Sequence, residues 1–370
     1  MTNIDINAVR AELAQALSKK FDDSTGVAIY GAGDTAERWF NSFLDEEEIT
    51  PKYFIDDTPS KRGTTFLGKP IVTFEEAHAL CKSFVIVLCS YDARTIEFMS
   101  KSFHENPVEK GEFCSSFDEY VFCTHAKEIL DVFDFLEDDL SKATYANLIL
   151  ARMGKAKQNQ ELVRPNRPYF EVPEFTKIKF DEVFVDCGAY VGGTIEQFLT
   201  VRLGEVKKVF AFEPSDRTFR ALKVRTDRLI AEWGLYDDQI KLVKAGVGEE
   251  VYHTKLKTTM KNDYATCAIF SEKHKCTQMG DVTVYAIDAY FAEEPISFLK
   301  ADIEGYEWKM IHGAKQVIKR DRPKIAVCIY HSAFDMYRIA LKLKELCPEY
   351  KFAVRQHYCD IWDTVLYAYV

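Results

Sequence analysis

The sequence predicts an α/β protein made of two doubly wound domains, and three observations carry that prediction. At 370 residues the chain exceeds what one ordinary hydrophobic core supports. Apolar strand-like runs alternate with helical periods along most of it, the pattern of parallel sheets covered by helices. Two of those runs, VAIYGAGDTA at 27–36 and VFVDCGAYVGGT at 183–194, end in a strand–glycine–helix turn. Both halves are therefore expected to be Rossmann-like, with boundaries at 1–125 and 166–370 and a helical connector over 126–165.

In the first half VAIY (27–30), KYFI (52–55) and FVIVLCS (84–90) read as buried parallel strands. DTAERWFNSFL and TFEEAHAL read as the helices between them, and the composition of DDTPSKRGTTFLGKP (56–70) predicts a long loop. The opening MTNIDINAVRAELAQALSKK reads as a short amphipathic helix. Residues 124–155 keep helical spacing without a strand signal, and the three prolines of VRPNRPYFEVPEF (163–175) predict an extended crossing segment. In the second half the expected strands are VFVDC (183–187), KKVFAFE (207–213), IKLVKAGV (240–247), ISFLKADI (296–303) and KIAVCIY (324–330). KFAVRQHY (351–358) and DTVLYAYV (363–370) are too close for a parallel crossover and predict an antiparallel hairpin.

Composition excludes some functions. A hydrophobic content of 47% with 29% charge describes a globular chain, and a net charge of −10 argues against nucleic-acid or anionic-membrane partners. The ten cysteines include no C-x-x-C pair; Cys89 and Cys328 sit inside apolar runs and read as small buried hydrophobes of a reducing compartment. No secretory h-region and no 18-residue apolar run occurs, so a cytoplasmic location is expected. A homo-oligomer is compatible with all of this.

The two glycine turns differ in charge. Asp186 precedes Gly188 at the end of its strand, and a carboxylate there disfavours a pyrophosphate and favours a cation. S-adenosylmethionine (SAM), with its sulfonium and ammonium and no phosphate, suits Asp186, Gly188, Gly192 and Gly193. Glu213, ending the next strand, is placed to accept from both ribose hydroxyls; its bland alternative is a cap on the helix that starts near Pro214. Ala245, within IKLVKAGV, completes the expected cofactor set. In the first turn Gly31-Ala-Gly33-Asp34-Thr-Ala36 fits G-x-G-x-x-A, with Asp56 where a ribose-binding acid would lie. Asp34, however, occupies the place of a pyrophosphate, which favours a structural or assembly role over dinucleotide binding.

The stretches EVFVDCGAYVGGT, VFAFEPS, LKADIEGYEWKMIHGA, IAVCIYH and FAVRQHYCDIWDTVLYAY resemble the FkbM family of SAM-dependent methyltransferases, most specifically through Asp302, Glu304, Gly305, Glu307, Gly313 and Ala314. The resemblance spans about 165 to 370 and implies a class I methyltransferase sheet that ends in an antiparallel hairpin. It also implies O-methylation of a sugar, glycan or secondary-metabolite hydroxyl. Residues 26–125, through IYGAG, FIDDTP and LGKPI, resemble the Rossmann-like domain found beside sugar-modifying enzymes.

Transfer to an alcohol is an in-line displacement that also needs a proton acceptor. His331, ending the fifth strand, is expected as general base, and Asp302, ending the fourth, as its catalytic neighbour. The alternatives are a hydrogen-bonded strand-end histidine and a helix cap. Glu304 and His357 are the expected substrate contacts, whereas Glu307 and Lys309 are expected to face solvent or a neighbouring loop. Asp302 and Glu304 can also hold Mg²⁺, but without an evident third ligand a metal-free site is the preferred expectation. Two rivals remain: an NAD(P)-dependent nucleotide-sugar oxidoreductase or epimerase using the first turn, weakened by the absence of Y-x-x-x-K in that half, and a non-catalytic SAM-binding scaffold.

Overall fold

A computed structural model describes residues 4–20, 27–33, 36–37, 40, 51–80, 85–88, 112–114, 117–258, 277–358 and 363–370. Asp34, most of the expected helix that follows it, and Cys89 lie outside these residues. The chain divides into two compact units, one of Asn7–Lys127 with Asn147–Lys157, the other of Met1–Ile6, Glu128–Ala146 and Gln158–Val370.

The first unit is built on a six-stranded sheet. Its strands are β1 (Val27–Tyr30), β2 (Tyr53–Ile55), β3 (Thr65–Phe66), β4 (Lys69–Val72), β5 (Val85–Leu88) and β6 (Glu112–Cys114), in the order β3-β4-β2-β1-β5-β6. Only the β3–β4 pair is antiparallel. From β4 to β6 the parallel strands run 3-2-1-4-5 in chain order, a doubly wound arrangement. The stretch expected as one long loop holds a 3₁₀ turn at Pro59–Lys61, β3 and the start of β4. Helix Phe74–Leu80 starts with a capping box: Glu76 N–H donates to Thr73 Oγ1 (3.1 Å), and Thr73 N–H donates back to Glu76 (2.7 Å).

The second unit holds a seven-stranded sheet. Its strands are β7 (Val183–Cys187), β8 (Lys208–Phe212), β9 (Ile240–Val243), β13 (Phe298–Ala301), β14 (Lys324–Cys328), β15 (Lys351–Gln356) and β16 (Thr364–Tyr369). They lie in the order β15-β16-β14-β13-β7-β8-β9, with β16 antiparallel to both its neighbours. The chain moves outward from β7 through β8 to β9, then restarts at β13 on the other side, so the switch in strand order falls between β7 and β13. Parallel strands buried on both faces must be apolar throughout, which is why VFVDC, KVFAF, FLKA and KIAVC read as nearly continuous hydrophobic runs. Phe184 packs on Phe198 of the helix Gly193–Arg202 (ring centroids 4.5 Å apart) and on Phe298 of β13 (4.7 Å), joining strands and covering helix.

One expected strand is divided. IKLVKAGV breaks after Val243, and Gly246–Gly248 (β10) leaves the main sheet to pair with Thr277–Ala286 (β12), which in turn pairs with Tyr252–Thr258 (β11). This three-stranded sheet was not foreseen. Among the described residues no helix is long and apolar enough to cross a membrane.

Candidate active site

In open α/β sheets ligands bind beyond the carboxyl ends of the strands at the switch in strand order. The ends of β7, β8, β13 and β14 carry most of the residues expected to function, and their geometry can be built up strand by strand.

At the end of β7 the glycine turn is held by the protein itself. Gly188 and Ala189 N–H both donate to Phe212 carbonyl (3.0 and 2.9 Å), Tyr190 N–H donates to Glu213 Oε2 (2.9 Å), and Gly192 N–H donates to Ala189 carbonyl (2.8 Å). Those amides are committed, so they do not form an anion nest. Gly188 is required by packing: at φ +79° it runs so close to β13 that a Cβ would fall on the Asp302 carbonyl. Gly192, at φ +84°, lies against Leu222 and Arg225, and Gly193, the first helical residue, lies close to Arg225. Ala245 is buried at the β9–β10 break.

Asp186 does not stand at an open mouth. It is fully buried, and its Oδ1 lies 2.9 Å from Lys300 Nζ, a lysine carried by the neighbouring strand β13. Lys300 also donates to Gly188 carbonyl (2.9 Å). Burial disfavours its charge, yet the carboxylates of Asp186 and Asp302 prevail and raise its pKa above the ordinary lysine value. Burial pushes the Asp186 carboxyl up against the pull of Lys300, and its Oδ2 has no hydrogen-bond partner among the described residues.

Glu213, at the end of β8, does what the cap reading expected and more. Its Oε1 accepts from Ser215 N–H (2.9 Å) and Thr218 Oγ1 (2.6 Å) at the start of helix Asp216–Trp233, while Oε2 holds the Tyr190 amide of the glycine turn. The carboxylate thus ties two turns together beside the crevice.

The segment after β13 gathers the remaining charge. Asp302 accepts from Tyr169 OH (2.8 Å) and Tyr330 OH (3.2 Å). Burial pushes its carboxyl upward, but Lys300, His331 and the two phenols outweigh it and the net shift is downward. Glu304 sits at φ +56°, a strained value for a residue other than glycine. Glu307, expected to face solvent or a loop, is instead completely buried, with Oε1 accepting from Ile303 N–H (2.8 Å) and Oε2 from Gly305 N–H (2.9 Å). A side chain that reaches back to amides four and two residues before it clamps the loop locally.

His331 faces all three acids: Nδ1 is 3.0 Å from Glu307 Oε1, and Nε2 is 3.6 Å from both Asp302 Oδ1 and Glu304 Oε2. Burial works against its charge, but the three carboxylates raise its pKa to about 10. A ring that already carries its proton at neutral pH cannot accept another, so the expected near-neutral general base does not match this setting.

His357 does not join the group. It is buried on the hairpin side, with Nδ1 2.6 Å from Arg164 carbonyl and Nε2 2.8 Å from Tyr367 OH, leaving neither nitrogen for a substrate. Its neighbour Arg355 is bound to Asp138 and Ser141 (3.1 and 2.7 Å), whereas Tyr358 is exposed. In the first unit Asp56, expected beside a ribose, accepts from Ala32 N–H (3.0 Å), Thr58 N–H (3.0 Å) and Lys61 Nζ (2.6 Å), so it is engaged by its own turn. Sequence reasoning missed Lys300, Tyr169 and Tyr330. The signal for Lys300 was present: a lysine inside the buried run ISFLKADI must have a buried partner.

Known proteins share parts of this arrangement. Residues 186–357 match the family model described as Methyltransferase FkbM domain. These residues are similar to an FkbM methyltransferase domain. The whole fold is similar to the crystal structure of methyltransferase FkbM from Methylobacillus flagellatus KT, at 19% identity over 99% of each chain with a TM-score of 0.57. Slighter likenesses are to a putative rRNA-methylase from Clostridium thermocellum (13% identity, 52% of this chain and 86% of that one, TM-score 0.31) and to Aeropyrum pernix fibrillarin with bound SAM (12%, 55% and 70%, 0.32). At those scores nothing about function follows. No curated protein matches the chain. In the second unit the strand order 3-2-1-4-5-7-6, counted from β9 to β15, is the class I methyltransferase order.

Proposed function

We propose that the second unit binds SAM at the ends of β7, β8 and β13 and methylates a hydroxyl of a sugar, glycan or secondary metabolite. One observation carries the reading. Glu213 and Asp302 stand at the crevice ends of these strands, with Asp186 buried against Lys300, while the amides of Gly188, Ala189, Tyr190 and Gly192 donate inside the protein. Such a site is built for a cation and offers little to a phosphate. The orphaned, buried Oδ2 of Asp186 beside the glycine turn fits a donor arriving with the cofactor, such as an ammonium.

When bound, SAM supplies a sulfonium methyl: the acceptor oxygen bonds to that carbon, the C–S bond breaks, and its electron pair stays on sulfur as the thioether. The chain's own groups hold and orient. Glu213 keeps part of Oε2 for a ribose hydroxyl while fixing the turn through Tyr190. Asp302, locked by two phenols, forms the acidic wall at the edge where the methyl must lie, and positioning of this kind accounts for much of methyl-transfer catalysis. Glu304, the exposed carboxylate of that edge, is placed to receive the acceptor's proton.

A crystal soaked with S-adenosylhomocysteine tests the reading. The adenosyl group is expected between the Gly188 turn and Glu213; a crevice that takes a diphosphate in its place overturns it.

A further inference from the structure

Beyond the methyl donor, the geometry points to a divalent-cation site formed by Asp302, Glu307 and His331, with Glu304 at its open side, and we propose that it takes a first-row ion of the Mn²⁺ type. One ligand atom from each of the three residues lies within 4.8 Å of the others.

A cluster of acids alone would carry nothing, but His331 is an independent sign. Its side chain is only 7% exposed, and neither ring nitrogen makes a hydrogen bond of acceptable geometry. The ring nonetheless has carboxylate oxygens on both sides, at 3.0 Å from Nδ1 and at 3.6 Å twice from Nε2. The longer separations are too great for hydrogen bonds. One ion can meet only one ring nitrogen, and on either edge these separations are close to the spacing of neighbouring ligands, about 3 to 3.5 Å for metal–ligand bonds near 2.1 Å; binding there replaces the proton that the ion-free ring carries.

The acids are also held as ligands are held. Two phenols, Tyr169 and Tyr330, orient the Asp302 carboxylate, and two amides, those of Ile303 and Gly305, orient Glu307. Outer hydrogen bonds of this kind fix ligand direction before the ion arrives. A nitrogen with carboxylate oxygens suits Mn²⁺, Fe²⁺ or Zn²⁺ better than Mg²⁺, which prefers an all-oxygen shell. Each of the three residues follows β13 or β14, on the edge assigned above to the acceptor. If that assignment holds, an ion here would bind the acceptor oxygen and favour its ionised form.

The test is a titration of chelator-treated full-length protein with Mn²⁺, following the free ion by electron paramagnetic resonance, with SAM titrated separately into the same preparation. One site per chain is expected. His331→Ala and Asp302→Asn should each weaken it about 100-fold, and Tyr169→Phe, which only orients Asp302, about 10-fold. Should the buried variants fail to fold, Glu304→Gln on the exposed side must still weaken binding. Wild-type protein that takes up no Mn²⁺ at millimolar concentration overturns the site, as does unchanged affinity in the histidine variant or tighter binding of Mg²⁺ than of Mn²⁺. A chain that binds SAM but not Mn²⁺ loses this inference alone; one that binds Mn²⁺ but not SAM loses the methyl-donor reading alone.

Discussion

Lys300 Nζ lies 2.9 Å from Asp186 Oδ1, between the two strands that flank the switch in strand order, and neither side chain is more than 2% exposed. Two opposite charges withdrawn from water sustain each other there. Removing one leaves the other buried without a partner. Lys300→Met is expected to destabilise the chain by about 3–5 kcal/mol in denaturant unfolding, and adding Asp186→Asn should recover most of the loss. A single variant as stable as wild type would mean that the pair is not ionised.

Glu213 has structural as well as ligand work. Because Ser215, Thr218 and Tyr190 all donate to it, Glu213→Ala should cost about 1–3 kcal/mol of stability through unsatisfied buried donors. Affinity for SAM should fall roughly ten-fold besides, since about 1.4 kcal/mol of binding is lost with the ribose contact. Calorimetry on the folded variant separates the two effects, and an unchanged Kd for SAM removes Glu213 from the ribose.

The two glycine turns should respond differently to alanine. Gly188→Ala forces a methyl onto the Asp302 carbonyl at a left-handed φ and is expected to abolish soluble folded protein or lower Tm by more than ten degrees, roughly a loss of several kcal/mol. At Gly33 a Cβ meets nothing within 4 Å among the described residues, so Gly33→Ala should stay within about 0.5 kcal/mol of wild type. Equal losses at both positions would contradict this assignment of roles.

His357 gives the fold a pH dependence. Its pKa is lowered from 6.5 to about 4, chiefly by burial, with the Arg164 carbonyl only partly opposing. The folded ring stays neutral while the unfolded ring takes up a proton. Its contribution is therefore full above pH 6.5 and is lost as the pH falls from 6.5 toward 4, by up to about 3 kcal/mol. Unfolding free energies measured across that range should decline for wild type and flatten for His357→Gln; parallel curves would remove the histidine as the cause.

Much of the fold was legible because its signals are local. VFVDC and KIAVC are apolar from end to end since parallel strands are covered on both faces, and the short link between KFAVRQHY and DTVLYAYV permits only a hairpin. The sheet of β10, β11 and β12 was missed because its pairing joins residues far apart in the chain, and IKLVKAGV shows no break where it changes sheet. At the site, sequence placed Asp186, Glu213, Asp302 and His331 at strand ends but not their partners. Partnership is a three-dimensional quantity: Lys300 neutralises Asp186 across a strand pair, and Glu307 reaches His331 only because its own helix folds back over the loop. The expectation of a near-neutral His331 failed for that reason.

The account rests on a crevice that prefers a cationic, phosphate-free cofactor, and isothermal titration of the full-length protein with SAM and, separately, with NADP⁺ tests that preference most directly. It predicts one SAM bound per chain and no heat from NADP⁺. Binding of the dinucleotide with no binding of SAM would contradict it.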